Sequence, residues 1–111
     1  MLLFKANHID LIQKGWKTVS RRMWVKPRVK VGSYHQIKTT IFTKEHFGYV
    51  KIDKLYLEHL SDITDLQAAR EGNYTKHEYL KLFHELYPDA GDDPMLWVVE
   101  FTYVGMTKEG V

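Results

Sequence analysis

Residues 15–22 have the sequence Gly15-Trp16-Lys17-Thr18-Val19-Ser20-Arg21-Arg22. This stretch follows a short helical pattern, and its β-branched residues favour a strand that leads into a basic loop. It places one lysine, two hydroxyl groups and two arginines within eight residues. Two interpretations are open: a solvated edge of a sheet, or the wall of a pocket that binds an anionic or polar ligand.

The positive charges of the chain are concentrated around this stretch. Residues 11–44 contain nine Lys or Arg and no acidic residue, whereas the remaining segments contain seven Lys or Arg and fourteen Asp or Glu. Such segregation predicts a basic surface that attracts phosphate groups, although the formal net charge is only +2. The alternative is a basic hairpin that balances acidic helices within the fold.

Length and composition limit the class of protein. The 111 residues fit one domain spanning 1–111, and a hydrophobic content of 44% is sufficient for a core. The absence of cysteine excludes disulfide and thiolate chemistry and favours an intracellular protein. The N-terminal apolar run is too short for a signal peptide, and no run reaches the ~20 residues of a membrane span. A cytoplasmic location is predicted.

The residue patterns predict the element order β-α-β-β-β-α-α-β. The strands are expected at 2–4, 17–20, 34–42, 47–57 and 95–104, and the helices at 8–14, 65–70 and 75–87. Because short gaps separate several strands, this order predicts an α+β fold with a mostly antiparallel sheet or small barrel and helices packed at its ends. The last strand is apolar at nearly every position, which indicates a central place in the sheet.

Helix boundaries are predicted from capping signals. Gly15 is a natural left-handed stop for the first helix. Three residue pairs have the spacing of a capping box: Asn7 with Asp10, Thr64 with Gln67, and Thr75 with Glu78.

Three segments together resemble the ASCH domain, a relative of the RNA-binding PUA domains. The first is the Gly-x-Lys-Thr-x-Ser-x-Arg pattern of residues 15–22, followed by a basic loop and a Val-Gly pair. The others are Ala68-Ala69-Arg70-Glu71-Gly72-Asn73-Tyr74 and the closing strand Trp97-Val98-Val99-Glu100-Phe101. The resemblance covers nearly the whole chain and implies a small PUA-like β-barrel that binds RNA or a nucleobase-containing ligand in a cleft.

The resemblance also implies an alternative function. One subgroup of similar length hydrolyses the acetyl amide of N4-acetylcytidine with a Lys, a Thr and a Glu. The Lys corresponds to Lys17 and the Thr to Ser20. An ungapped alignment from Tyr87-Pro88 places the Glu on Gly72, and a shift of one residue brings Glu71 to that position.

The catalytic interpretation makes a geometric demand. Lys17 and Ser20 lie three residues apart, so a regular strand would direct them to opposite faces, and a bulge or bend is needed to bring them together. In that case Ser20 is the nucleophile, Lys17 stabilises the oxyanion or has a lowered pKa, and Glu71 relays protons. Otherwise Lys17 is a solvated lysine, Ser20 a structural hydroxyl and Glu71 a surface acid.

The binding interpretation requires no special backbone geometry. Cations of the basic region would contact phosphates, and Trp24, Tyr34 or Trp16 would stack on unpaired bases, which suits single-stranded or loop RNA. For Trp16 we expect packing against the sheet, and for Trp24 both roles are open. The predicted RNA-binding residues are Lys17, Arg21, Arg22, Trp24, Lys26, Arg28, Lys30 and Lys38.

The histidines do not predict a metal site. His77 and His84 lie seven residues apart on one helix with no third ligand at an obvious spacing, and the other four are scattered. No glycine-rich phosphate loop is present. Neither a metal nor a cofactor is therefore expected, and most tyrosines fall on apolar faces and are expected in the core.

Overall fold

The computed structural model describes residues 1–110 as a five-stranded sheet with three α-helices. The strands are β1 (Leu2–Leu3), β2 (Val19–Arg22), β3 (Tyr34–Lys38), β4 (Tyr49–His59) and β5 (Met95–Gly105). The helices are α1 (Ala6–Gln13), α2 (Asp65–Gly72) and α3 (Lys76–Leu86), and a 3₁₀ turn covers Leu60–Asp62. The predicted element order and the α+β class are confirmed.

The sheet is open and mixed. Its strand order is β1-β3-β4-β5-β2, so β1 and β2 are the two edges. The β1–β3 pair is parallel and the other three pairs are antiparallel. The predicted closed barrel is therefore not confirmed for residues 1–110, because β1 and β2 do not pair. The last strand is internal, as predicted, and lies between β4 and β2.

Two strands differ from the prediction because their backbone groups bond elsewhere. The strand expected from Lys17 begins at Val19, since the Lys17 N–H donates to Leu11 O and the Thr18 N–H donates to Arg70 O. The strand expected to reach residue 42 ends at Lys38. Beyond it, the Thr40 hydroxyl accepts from the Phe42 N–H at 3.3 Å, a local bond that competes with strand pairing.

The capping predictions are confirmed for two helices and wrong for the third. Both partners of the capping boxes at Thr64 and Thr75 are in place. The predicted box at Asn7 is absent, because α1 begins at Ala6, two residues before the predicted start, and Lys5 occupies the N-cap position with no side-chain cap bond. Gly15 follows α1 with φ +78°, the left-handed conformation expected of a helix stop.

The apolar core has two parts. Side chains of β1, α1 and the central strands form the larger cluster, which includes the fully buried Ile12 and Phe101. The smaller cluster joins α2 and α3 to the start of β5, with Phe83 and Leu96 among its members. The elements from both clusters meet beside β2, and this meeting point sets the place of the site described next.

Candidate functional site

A cavity of about 150 Å³ lies where α1, β2, α2 and α3 meet. Its polar wall comes from four residues of the basic stretch together with Glu71 and His8. Its apolar wall consists mainly of aromatic and leucine side chains of the N-terminal segment and α3, such as Phe4, Tyr79 and Phe83. The cavity therefore combines buried charges with an aromatic surface.

Lys17 is 3% exposed, and its ammonium group has three acceptors. Nζ donates to Val19 O at 2.9 Å, to the main-chain carbonyl of Glu71, and to Glu71 Oε1 at 3.2 Å. These acceptors match the three donors of a protonated lysine. Lys17 lies in the connection before β2 rather than in the strand, so the alternation of a regular strand does not apply to it. The required bend is present, and Lys17 and Ser20 line one cavity.

Glu71 is the carboxylate of the cavity. It is 4% exposed in the last turn of α2, and Oε2 accepts from Arg21 Nη1 at 3.0 Å while Oε1 accepts from Lys17. A side chain at the neighbouring Gly72 would not fit, because its Cβ would lie 2.7 Å from the Tyr74 ring and 2.9 Å from His8 Nε2. The structure therefore places the acidic side chain at 71 and packs residue 72 closely.

Arg21 connects the cavity to the interior of the fold. Besides its bond to Glu71, Nη2 donates to Glu58 Oε1 at 3.0 Å and to Gln67 Oε1 at 3.1 Å. Its Nε is buried without a hydrogen-bond partner among residues 1–110. Because the guanidinium is fully covered and bonded on two sides, Arg21 holds Glu71 in place.

Ser20 and Arg22 lie two residues apart on β2 and interact directly. Arg22 Nε donates to Ser20 Oγ at 2.9 Å, and Arg22 Nη2 donates to Leu3 O at 2.9 Å. The guanidinium also lies 4.8 Å from the centre of the Phe4 ring, within cation–π range. Arg22 thus spans the gap between the two edge strands and leaves the Ser20 hydroxyl hydrogen free to donate into the cavity.

Burial shifts the pKa of four titratable groups here. Desolvation lowers the pKa of Lys17, and the Glu71 carboxylate offsets part of that effect. Burial, with the positive charge of Lys17, lowers the pKa of His8 to about 4. His8 is therefore neutral near pH 7, and its Nε2 lies 3.2 Å from the Tyr74 hydroxyl. Burial raises the pKa of Tyr74 and of Tyr79, so both phenols are protonated.

The eight residues predicted to bind RNA occupy different environments. Lys17, Arg21 and Lys38 are buried, and Lys38 Nζ donates to Thr43 O at 2.8 Å. Arg22 and Trp24 are partly buried, and the solvent-exposed members are Lys26, Arg28 and Lys30. The predicted set is therefore divided between the interior, the cavity wall and an exposed loop.

The aromatic predictions have mixed outcomes. Trp24 packs against the larger core cluster, whereas Trp16 is 62% exposed, so the packing expected for Trp16 is wrong. The Lys14 amine lies 5.5 Å from the centre of the Trp16 ring. Tyr34 is 38% exposed at the start of β3.

Several cavity residues were not singled out from sequence. His8 looked like one of several scattered histidines, and Tyr74 and Tyr79 looked like core. Glu58 and Gln67 bond Arg21 from outside the cavity lining, and no local signal predicts these contacts because the two residues lie 37 and 46 positions away along the chain. A lone histidine on a short helix becomes informative only when the fold places it beside Lys17.

A second cavity of about 200 Å³ adjoins the first. Both cavities are lined by Leu3 and Arg22, and the second is also lined by Trp24, Arg28 and Ile41 together with the first two residues of the chain. The Arg22 side chain, bonded to Leu3 O, thus forms part of the wall between them.

Residues 1–110 offer neither a metal site nor a membrane-spanning helix. No group of three His, Asp or Glu side chains is placed to hold a metal ion. None of the three helices has the length and apolar character needed to cross a membrane.

Comparison with known proteins identifies the fold. No family model and no curated protein sequence matches the chain. Among solved structures, a protein of the DUF984 family from Enterococcus faecalis V583 superposes with a TM-score of 0.69 at 18% identity, over 94% of this chain and 78% of the other. An ASCH domain from Lactobacillus crispatus JV V101 superposes with a TM-score of 0.64 at 19% identity, over 93% and 76%. The fold is ASCH-like. At this identity the ASCH-like similarity establishes architecture alone.

Proposed function

We propose that this protein is a small amidohydrolase that removes the acetyl group of N4-acetylcytidine in the cavity beside β2. The observation that carries the proposal is the arrangement of a buried lysine, a buried carboxylate and a serine hydroxyl around one cavity. Lys17 and Glu71 are hydrogen-bonded, and Ser20 lines the same space. A protein that only packed these residues would not need two buried cations around one acid, since burying charges is costly.

The cavity suits a single base. Its volume of about 150 Å³ matches engineered cavities that accept one aromatic ring. The Tyr79 and Phe83 rings supply an apolar face for a planar base. The guanidinium of Arg22 supplies donors for carbonyl oxygens, and the ammonium of Lys17 contributes its positive charge.

The reaction follows from the roles of the three side chains. Ser20 Oγ attacks the acetyl carbonyl carbon, and its proton passes to the Glu71 carboxylate. Lys17 stabilises the negative charge that develops on the carbonyl oxygen. The bond from the carbonyl carbon to N4 then breaks, N4 takes up the proton from Glu71, and cytidine leaves. Water hydrolyses the acetyl ester on Ser20 and releases acetate.

The neighbours of the triad prepare it for this reaction. The Arg22 Nε bond fixes the Ser20 rotamer and stabilises negative charge that develops on Oγ. The bonds of Arg21 to Glu71, Glu58 and Gln67 hold the carboxylate in one orientation. Catalytic groups need such support, because small misplacements cost large factors in rate.

The test is release of cytidine from N4-acetylcytidine by the purified protein, followed by chromatography. Ser20→Ala is expected to lower kcat/KM by at least about 10³-fold, because it removes the nucleophile. Thr39→Ala, which truncates an exposed hydroxyl residue outside the cavity, is the matched control and should retain full activity. An active wild type whose rate is unchanged in Ser20→Ala contradicts the assigned nucleophile, and an inactive wild type contradicts the proposed reaction.

A second candidate function is RNA binding, which the exposed loop favours. Lys26, Arg28 and Lys30 are solvent-exposed and form no ion pair within residues 1–110. Unpaired cations on one loop attract phosphates and give a salt-dependent affinity. Mobility-shift titration with short single-stranded and hairpin RNA tests this function, and affinity that does not fall with added salt contradicts it.

A further inference from the structure

The second cavity has the properties of a phosphate subsite. It contains two guanidinium groups, Arg22 and Arg28, and no acidic residue. Its remaining wall is apolar, with the Trp24 indole and Ile41. A cavity that gathers two like charges without a carboxylate among its described lining residues is electrostatically unfavourable when empty and favours an anion.

Arg22 is held at the boundary of the two cavities. Its Nε is bonded to Ser20 and one Nη2 hydrogen to Leu3 O, and its face covers the Phe4 ring. Its Nη1 has no hydrogen-bond partner among residues 1–110. An arginine fixed in this way loses little side-chain entropy when it binds a further group. Arg22 can therefore contact a nucleoside in the first cavity and a further group in the second cavity at the same time.

Arg28 also lines the second cavity. It is exposed and makes no hydrogen bond or ion pair with another residue of the chain from 1 to 110. Trp24, by contrast, packs against the larger core cluster. The second cavity thus joins one guanidinium that is hydrogen-bonded to the fold, one that is not, and an aromatic ring that packs on the core.

We propose that the second cavity binds a phosphate ester attached to the ribose of the nucleoside in the first cavity. The inference rests on the proposed function and names the substrate class more closely: a nucleotide, free or within an RNA strand, rather than a free nucleoside. Arg22 and Arg28 hold the phosphate from two sides, a geometry for which guanidinium groups are suited. Where a strand continues, the next base lies against Trp24.

The experiment compares N4-acetylated substrates that differ only in phosphate. The catalytically silent Ser20→Ala protein is titrated by calorimetry with four N4-acetylated compounds. They are the acetylated forms of cytidine, cytidine 5′-monophosphate, cytidine 3′-monophosphate and a cytidine-containing trinucleotide. At least one phosphate-bearing compound is expected to bind about 10-fold more tightly than the nucleoside, the effect of one charge-assisted contact. If only the trinucleotide binds more tightly than the nucleoside, the second cavity is assigned to a phosphodiester. If a monophosphate also binds more tightly, the second cavity is assigned to a terminal phosphate.

A pair of arginine variants separates the subsite from general attraction. Arg28→Ala, made in the same Ser20→Ala protein, should abolish the phosphate-dependent gain in affinity. It should leave nucleoside affinity unchanged, because Arg28 lines the second cavity and not the first. Arg70→Ala removes an exposed arginine that lines neither cavity and should leave the gain intact. Equal affinity for all four compounds, or an equal effect of the two variants, overturns the inference.

Hydrolysis assays keep the two proposals distinguishable. If the wild type cleaves N4-acetylcytidine and its nucleotides at equal kcat/KM with equal affinity, the amidohydrolase stands and the subsite is rejected. If no compound is cleaved but phosphate still strengthens binding in an Arg28-dependent manner, the reaction is rejected and the subsite stands.

Discussion

One part of the basic segment is buried in this fold and another part is exposed to solvent. Lys17 and Arg21 are 3% and 7% exposed and share the Glu71 carboxylate, whereas Lys26 and Arg28 lie in solvent without ion-pair partners among residues 1–110. The segment is uniformly cationic in sequence. The difference comes from Glu71, which lies about fifty residues downstream and reaches only the first part.

This contrast separates two uses of positive charge. In the buried part, each cation is held in place by specific acceptors, so its removal changes both the fold and the site. In the exposed loop, charge is screened by solvent and salt, so its removal changes encounters with ligands and hardly affects folding. The following four predictions test that separation, from the largest expected effect to the smallest.

Removal of the shared carboxylate should have the largest effect. Glu71→Ala leaves the buried Lys17 and Arg21 without their common counter-ion, so the free energy of unfolding should fall by about 3–5 kcal/mol. Urea denaturation followed by circular dichroism measures this loss. Glu85→Ala on the exposed face of α3 is the control and should change stability by less than about 0.5 kcal/mol. Similar values for the two variants would contradict the central role of Glu71.

Removal of one buried cation should cost less than removal of the acid. In Lys17→Met, Glu71 keeps its bond to Arg21, but Val19 O and Glu71 O lose their donor. Unsatisfied buried acceptors of this kind cost about 1–3 kcal/mol. Lys26→Met in the loop is the matched control, with a change within about 0.5 kcal/mol. The same denaturation assay applies, and a Lys17 variant as stable as the Lys26 variant would place Lys17 among the solvated lysines.

His8 should make the buried site sensitive to acid. Its pKa is about 4 in the fold and 6.5 in the unfolded chain, so between these values only the unfolded chain takes up the proton. Stability therefore falls as the pH decreases from 6.5 to 4, by about 1–2 kcal/mol after allowance for its partial exposure. Denaturation curves at several pH values should show a flatter profile for His8→Gln.

The exposed His77 supplies the control for this pH effect. His77→Gln should leave the acid dependence as steep as in the wild type, because His77 is exposed on α3 and lines neither cavity. A His8→Gln profile that is parallel to that of the wild type would show that the fold does not suppress protonation of His8.

Charge reversal in the exposed loop should have the smallest effect on stability. Replacement of Lys26, Arg28 and Lys30 by Glu should leave the free energy of unfolding within about 0.5 kcal/mol of the wild type. If the loop binds RNA, the slope of log affinity against log salt should become shallower by about 0.7 for each lost single-strand contact. RNA affinity and slope that are unaffected would show that the loop does not bind RNA.

The order of elements was predictable because each has local signals. The capping pairs at Thr64 and Thr75, the Gly15 stop and the apolar pattern of β5 all lie within a few residues of the feature that they specify. One error came from a partner that is distant in sequence. The strand at Lys17 starts late because Leu11 and Arg70 take its N–H groups, and no local pattern records this.

The site was predictable in its residues and not in its contacts. Lys17, Ser20 and Glu71 were named from a resemblance, and their placement around one cavity depends on the bend before β2 and the close packing of Gly72. The burial of Arg21, which was expected to contact RNA, could not be anticipated because its acceptor Glu71 lies fifty residues away along the chain. Charge counts alone do not distinguish a buried cation from a solvated one.

The pairing of β2 also determines when the cavity can form during synthesis. Within the sheet, β2 pairs only with β5, and Val19 is opposite Glu100. About eighty residues must therefore be made before this strand has a partner, and contacts of such long sequence separation form slowly. A growing chain lacks a complete pocket until its C-terminal segment leaves the ribosome. C-terminal truncations that remove β5 should therefore yield chains in which residues 15–22 are exposed to proteases and chaperones.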